Sequence, residues 1–220
     1  EESETPYEKA YVRINLAKSM SNFNFDSDLV LLAADKSIAE LEEIDSLRLL
    51  SKCIIFKSIY HFSKMKDKVK GTAILLDFLD KYKTHTNIQL EINNRIASFY
   101  KNEGQSDNAF KFYKVSSKTF FSLKNKTRAD SSVQMSNDKN MGVILRNKNR
   151  YDTASVLLNR SLRFAESMKN NNWIGISCNS LGILYDLQGE TLKSIDFYKR
   201  SISYKGIAGN TRGISTSQSN

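Results

Sequence analysis

The sequence predicts an all-α solenoid of antiparallel helix pairs, and three observations predict it. Glycine and proline are scarce, 9 and 1 of 220 residues, well under the roughly 12% of an average protein. A chain so poor in turn formers cannot build the many tight turns of a β-sandwich or propeller. Apolar residues recur at helical spacing almost everywhere, and strict alternation over a strand length is hard to find. The last three predicted helix pairs also repeat one another at fixed offsets, the signature of stacked repeats.

The helix pairs follow in order. The first spans 6–22 and 28–44, the second 46–65 and 69–83, the third 87–103 and 106–123. The fourth spans 128–148 and 151–169, the fifth 172–188 and 190–205, so the hairpins occupy 6–44, 46–83, 87–123, 128–169 and 172–205. Their breaks fall at Asn22-Phe23-Asn24, Lys66-Asp67-Lys68, Glu103-Gly104-Gln105, Lys148-Asn149-Arg150, Asn170-Asn171-Asn172 and Gln188-Gly189-Glu190. Asn and Gly tolerate the left-handed conformation that ends a helix.

The repeat is read by placing Gly104, Asn149 and Gly189 in register. Ile96-Ala97, Met141-Gly142 and Leu181-Gly182 then align, as do Tyr100, Leu145 and Tyr185. On the second helices Ala109, Ala154 and Ser194 align, then Tyr113, Leu158 and Tyr198, then Ser116, Ser161 and Ser201. The chemistry of this pattern is packing. A small residue at 97, 142 and 182 admits the second helix of the hairpin, the small residue at 109, 154 and 194 is the matching depression, and the large residues fill the space between.

These residues resemble the tetratricopeptide repeat family, whose signature is Leu-Gly, Tyr, Ala and Phe/Tyr at fixed offsets. Leu181-Gly182, Tyr185, Gly189, Ser194 and Tyr198 match best. The resemblance is clear over about 87–205 and rests on helical pattern alone over 6–83. Two departures accompany it. The usual proline after the second helix is missing, since Pro6 is the only one, and the spacings of 45 and 40 exceed 34. Both are similar to long-repeat variants of bacterial signalling and transcription regulators. The resemblance implies a right-handed superhelix that binds a protein or peptide, and it places no chemistry in the chain.

The ends carry expectations of their own. The chain opens Glu1-Glu2-Ser3-Glu4 without an initiator methionine and without a basic and apolar leader. Over 207–220, Ile207, Gly213-Ile214 and Ser219-Asn220 look like the start of a further first helix. Both features predict a piece of a longer protein. The longest apolar runs, such as 29–34, fall far short of the roughly 18 residues that span a bilayer.

Catalytic and metal constellations are not found. His61 sits in an aromatic helix stretch and His85 in a linker, and no His/Cys/Asp cluster has ligand spacing. Cys53 and Cys178 read as small core hydrophobes in the second and fifth pairs. Helix layers about 8–10 Å apart would hold them too far apart for a disulfide. Gly206, Gly209 and Gly213 lack the spacing of a phosphate cradle, and Glu42-Glu43 reads as solvated surface. The chain is therefore read as no enzyme, with no catalytic residue, metal or cofactor.

The net charge of +9, from 33 basic and 24 acidic residues, raises nucleic acid as a rival. Lys111, Lys114 and Lys118 share a stripe interleaved with Phe110, Tyr113, Phe120 and Phe121, which could serve phosphate contact and base stacking. The same spacing describes lysines facing water and aromatics facing the core, the reading favoured here. Lys124, Lys126, Arg128, Arg146, Lys148 and Arg150 extend the positive character, which suits acidic peptides or an anionic surface.

A groove is the favoured site. The resemblance implies that first helices line it, and the face opposite the Leu-Gly edge carries Asn94, Ser98 and Lys101, then Lys139, Val143 and Arg146, then Asn179, Ile183 and Asp186. Each set is spaced i, i+4, i+7 and so shares one helical face. Amides can pair with a peptide backbone and cations with carboxylates. The expected role is a non-catalytic interaction or sensor module of a bacterial signalling or transcription regulator, with a cytoplasmic scaffold or adaptor as the first alternative and a nucleic-acid binder as the second. The expected partner is a protein or peptide, the candidates including the chain's own output domain and a homodimer partner. The compartment is extracytoplasmic for a membrane-anchored sensor and cytoplasmic for an adaptor.

Overall fold

A computed structural model describes residues 5–23, 25–44, 46–210 and 217. Among them the chain is all-α, a tetratricopeptide-like succession of packed helices without a strand. It divides into two compact units, residues 1–104 and 105–220.

The first unit holds α1 (Pro6–Asn22), α2 (Ser27–Glu43), α3 (Leu47–Ile59), α4 (Lys68–Lys81) and α5 (Thr86–Asn102), with a π-helical turn at Tyr60–Lys64 extending α3. Local sequence sets the starts. Thr5 and Glu8 form a reciprocal capping box ahead of Pro6 at the first helical position. Asp26 caps α2 and Asp67 caps α4 through their carboxylates. Burial follows one stripe per helix: Ala10, Ile14, Ala17 and Ser21 on α1, and Val30, Ala34, Ser37 and Leu41 on α2. Where α4 crosses the end of α3, a Cβ at Gly71 would stand 2.8 Å from the Ser58 carbonyl oxygen. Only glycine permits that approach, beside the π-helical turn.

The second unit holds α6 (Ser106–Ser122), α7 (Arg128–Asn147), α8 (Tyr151–Ser167), α9 (Asn171–Leu187) and α10 (Thr191–Ile207). Its core joins Met135 and Leu145 of α7, Leu158 and Leu162 of α8, and Cys178, Leu181 and Leu184 of α9. The repeat pattern acts as its chemistry requires. A Cβ on Gly142 would stand 2.8 Å from Leu158, and one on Gly182 2.6 Å from Tyr198. Ala154 and Ser194 are buried on the facing helices.

The helix ends repeat as well. Asn149 and Gly189 have φ of 57° and 75°, and each closes its helix with paired bonds. Arg150 N–H donates to the Leu145 carbonyl and Asn149 N–H to that of Arg146, as Glu190 does to Tyr185 and Gly189 to Asp186, all at 2.9 Å. The break at 170–172 works differently from the expectation. Lys169, not an asparagine, takes the left-handed conformation, with φ of 51°, while Asn170 caps α9 by accepting from Trp173 N–H at 3.1 Å. At the far end α10 runs to Ile207, so Ile207 closes the fifth pair and does not open a new helix. Gly213, Ile214, Ser219 and Asn220 lie outside the described residues.

A seam of buried polar groups ties second helices to the first helices around them. Ser161 Oγ donates to the Met135 carbonyl at 3.0 Å and pairs with Ser177 Oγ at 3.2 Å. Ser201 Oγ donates to the Gly175 carbonyl at 2.7 Å and pairs with Ser217 Oγ at 2.9 Å. Asn137 Nδ2 donates to Ser116 Oγ at 2.8 Å. Ser116, Ser161 and Ser201, aligned by the repeat, thus each bond a residue that falls in one series: 137, 177 and 217.

Candidate functional site

Lysines are scattered along the first unit, but helical periodicity gathers three of them around one depression. On α3 Lys52, Ile55, Phe56 and Ile59 follow i, i+3, i+4, i+7, and the stripe continues through Tyr60, Ser63 and Lys64 of the π-helical turn. With Lys18, Ser21 and Asn22 from the end of α1 and Glu91 from α5, these residues line a pocket of about 610 Å³. Every lining residue comes from the first helix of its pair or its extension; α2 and α4 contribute none. The floor is apolar, with Ile55 and Tyr60 buried. Tyr60 is fixed by its hydroxyl bond to Ser27 Oγ at 2.9 Å and by Phe56, whose ring centroid lies 6.1 Å away.

The rim is basic: three lysines against the single carboxylate of Glu91. Elsewhere in this unit Arg13 pairs with Glu40 and Lys57 with Asp35 at 2.6 Å, Lys81 with Glu42 at 2.7 Å and Lys83 with Asp80 at 3.6 Å. On the same helix as Lys52, burial pushes the Cys53 thiol up to about 11, with Lys18 acting the other way. The pocket therefore pairs an apolar floor with positive charge at its mouth.

The residues singled out by sequence fall on first helices, but the pocket does not use them. Asn94, Ser98 and Lys101 on α5 are half-buried, and the pocket takes Glu91 from that helix. Ser98 Oγ donates to the Asn94 carbonyl at 2.9 Å, and burial lowers the Lys101 ammonium. In the second unit Lys139, Val143 and Arg146 are half-buried on α7, as are Asn179 and Ile183 on α9, while Asp186 is exposed. Lys139 Nζ donates to Asn140 Oδ1 at 3.4 Å. Arg146 donates to Asn147 Oδ1 at 3.1 and 3.3 Å, and burial lowers its guanidinium. Asn179 Oδ1 accepts from Ser217 Oγ at 2.9 Å. Burial raises the Tyr198 phenol against the hydrogen bond with Ser194, with Asp186 adding to the rise and Arg146 opposing it.

The basic stripe on α6 is a solvated face. Lys111, Lys114 and Lys118 are exposed, whereas Tyr113 and Phe120 are buried and Phe110 is half-buried. Phe121 is exposed, but the Arg160 guanidinium covers its ring at 5.2 Å. His61 is buried and lowered by that burial, and His85 stands exposed at the start of α5. No group of three His, Cys, Asp or Glu among the described residues could hold a metal ion, and none of their helices is long and apolar enough to cross a membrane.

Residues 90–114 match the family model of the tetratricopeptide repeat, the stretch that carries Ile96-Ala97, Tyr100, Gly104, Ala109 and Tyr113. No curated protein matches the chain. The crystal structure of BtubC (BKLC) from P. vanneervenii aligns with 98% of this chain and 89% of that one, at 10% identity and a TM-score of 0.48.

Proposed function

We propose that this chain, which carries a tetratricopeptide repeat, is a non-catalytic recognition module whose first unit binds an acidic, apolar-anchored segment of a protein partner. The observation that carries this reading is the pocket built from α1, α3 with its π-helical extension, and α5, with its apolar floor and three rim lysines. An aromatic or aliphatic side chain fills the floor between Phe56, Ile59 and Tyr60, and flanking carboxylates meet Lys18, Lys52 and Lys64. A pocket of this size suits one or two anchor side chains. The strips at Lys139, Val143 and Arg146 on α7, and at Asn179, Ile183 and Asp186 on α9, are proposed as further contacts within the second unit, polar through the charged and amide side chains and apolar through Val143 and Ile183. Such recognition serves the sensor region of a bacterial regulator, and a scaffold would use the same pocket.

The test is selection from a displayed library of random twelve-residue peptides, followed by fluorescence anisotropy with the selected sequences. Acidic residues flanking a bulky apolar one are expected, with affinity that falls as salt rises. Lys18→Glu with Lys52→Glu should weaken binding about tenfold or more, each lost charge-assisted bond being worth roughly 1.5–3 kcal/mol. A consensus lacking acidic residues, or affinity indifferent to both substitutions, would refute the assignment.

A further inference from the structure

Charge is spread unevenly along the chain. Between 108 and 128 stand five lysines and one arginine without a single acidic residue, so about a tenth of the sequence holds six of its net nine positive charges. The acids that flank this stretch have partners of their own. Asp107 pairs with Lys148, and Asp130 closes the capping box with Thr127. The helix then sorts the stretch into two faces. Tyr113, Ser116, Ser117 and Phe120 of α6 are buried, while Lys111, Lys114, Val115, Lys118 and Phe121 are exposed. Steps of three and four residues make the exposed ones neighbours: Lys111 adjoins Lys114 and Val115, both of these adjoin Lys118, and Lys118 adjoins Phe121.

The end of the stripe is braced. The Arg160 guanidinium of α8 lies 5.2 Å from the centre of the Phe121 ring, and Phe120 meets that ring edge-on at 5.2 Å. Arg160 is itself held by the wholly buried Asp138, so it supports the ring with its charge already balanced. Lys126, in the turn after α6, stands over Phe120 at 5.5 Å and brings its charge to the same end. The chemistry of this face selects among anionic partners. A protein partner needs an apolar core within the roughly 800 Å² that each side of a standard interface buries, and Val115 and Phe121, 46% and 52% exposed, offer too little. A nucleic-acid strand stacks successive bases on successive rings, but Tyr113 and Phe120 are buried beside Phe121. An anionic lipid surface needs neither. Clusters of roughly four to eight Lys and Arg are drawn to it, and a few apolar side chains that reach the boundary of headgroups and acyl chains strengthen the hold. Lysines, point charges on flexible stems, suit a fluid surface better than a fixed ligand.

We infer that the exposed face of α6, with the basic turn after it, is a peripheral docking surface for a bilayer rich in anionic lipid. The helix lies along the headgroups. Lys111, Lys114 and Lys118 meet lipid phosphates, and Val115 and Phe121 reach between them toward the acyl chains. The attraction is charge-driven, so it weakens as salt rises.

Co-sedimentation of the chain with lipid vesicles, at low and at physiological salt, tests the inference. Vesicles of phosphatidylglycerol and phosphatidylcholine in equal parts should carry the chain down at both salts, less strongly at the higher one, and vesicles of phosphatidylcholine alone should not. Lys111→Gln, Lys114→Gln and Lys118→Gln together should weaken binding about tenfold or more. Lys9→Gln, Lys36→Gln and Lys68→Gln remove the same charge from exposed positions of the first unit and should change binding less than about twofold, because their charges lie off the docking face. Phe121→Ser should weaken binding severalfold and leave its salt dependence unchanged, since it removes no charge. Helical circular dichroism should be the same for all variants, every substituted position being exposed. No binding to the mixed vesicles at physiological salt would overturn the inference. So would equal binding to phosphatidylcholine alone, or equal losses from the two lysine sets. A chain that ignores the vesicles at that salt but binds a single-stranded oligothymidylate would also overturn it and give the face to nucleic acid.

Discussion

Gly182 lies directly beneath the ring of Tyr198: a Cβ built on it would stand 2.6 Å from Cε1 and 2.7 Å from Cδ1. The hairpin of α9 and α10 closes over that missing side chain. Gly182→Leu should therefore destabilise the chain by about 1–3 kcal/mol through overpacking, seen as a lower urea midpoint. Adding Tyr198→Leu to Gly182→Leu should recover part of the loss, because the ring is the group that must move. An unchanged midpoint for Gly182→Leu would deny the close approach.

Lys169 sits at φ 51°, where a side chain is strained and glycine is not. Its counterpart forty residues on, Gly209, has φ 67°. The two close their helices alike, Asn170 N–H donating to the Ala165 carbonyl at 3.0 Å and Asn210 N–H to that of Lys205 at 2.9 Å. Lys169→Gly should raise stability by about 1 kcal/mol. Lys169→Val should lower it, since a β-branched residue fits this region worst. Thermal melts of the two variants against the parent chain check both signs.

Burial raises the thiols of Cys53 and Cys178 to about 11 each, against about 8.5 when unfolded. Both are free and buried. The folded chain thus holds these protons more tightly than the unfolded one. Their contribution to stability is fully present below about pH 8.5 and is lost as pH rises through 11. Native protein at pH 8 should react slowly with a thiol-directed reagent, and both thiols should react at once in denaturant. Fast native labelling of either would place it outside the core.

Much of the fold is legible in the sequence because packing writes itself into spacing: Gly142 and Gly182 can be paired with Leu158 and Tyr198 from the repeat alone. The role of the aligned serines is not. Their identity at 116, 161 and 201 is visible, but a buried hydroxyl takes its meaning from a carbonyl on another helix, and nothing local in the sequence marks Met135 or Gly175 as acceptors. The pocket escapes the sequence for a related reason. Its walls come from α1 and α3, where the repeat signature is too worn to set a register. The i, i+3, i+4 stripe of Lys52, Ile55 and Phe56 is the signal that could find it, taken as a lining rather than as a helix flank.

Asp138 and Arg160 are likewise silent in the sequence, and they offer the sharpest test of the polar seam. The Asp138 side chain is wholly buried, and Arg160 Nε donates to Oδ2 at 2.6 Å while Gln134 Nε2 donates to Oδ1 at 2.8 Å. Gln134 in turn reaches Ser117 Oγ of α6 at 3.0 Å, so one carboxylate organises three helices. Burial pushes the Asp138 carboxyl up and the guanidinium holds it down, with burial the larger effect. Arg160→Leu removes the opposing cation and leaves a buried carboxylate, which should cost roughly 3–5 kcal/mol at neutral pH. Replacing both residues by leucine should cost less than Arg160→Leu alone, since no uncompensated charge remains. The single variant also has a distinctive pH profile. Its Asp138 titrates above the unfolded value, so protonation favours the folded state, and the deficit should shrink as pH falls through that raised pKa. Urea unfolding of the parent and both variants at pH 7 and pH 5 separates the cases: a deficit equal at the two pH values would mean that water reaches Asp138 once the arginine is gone.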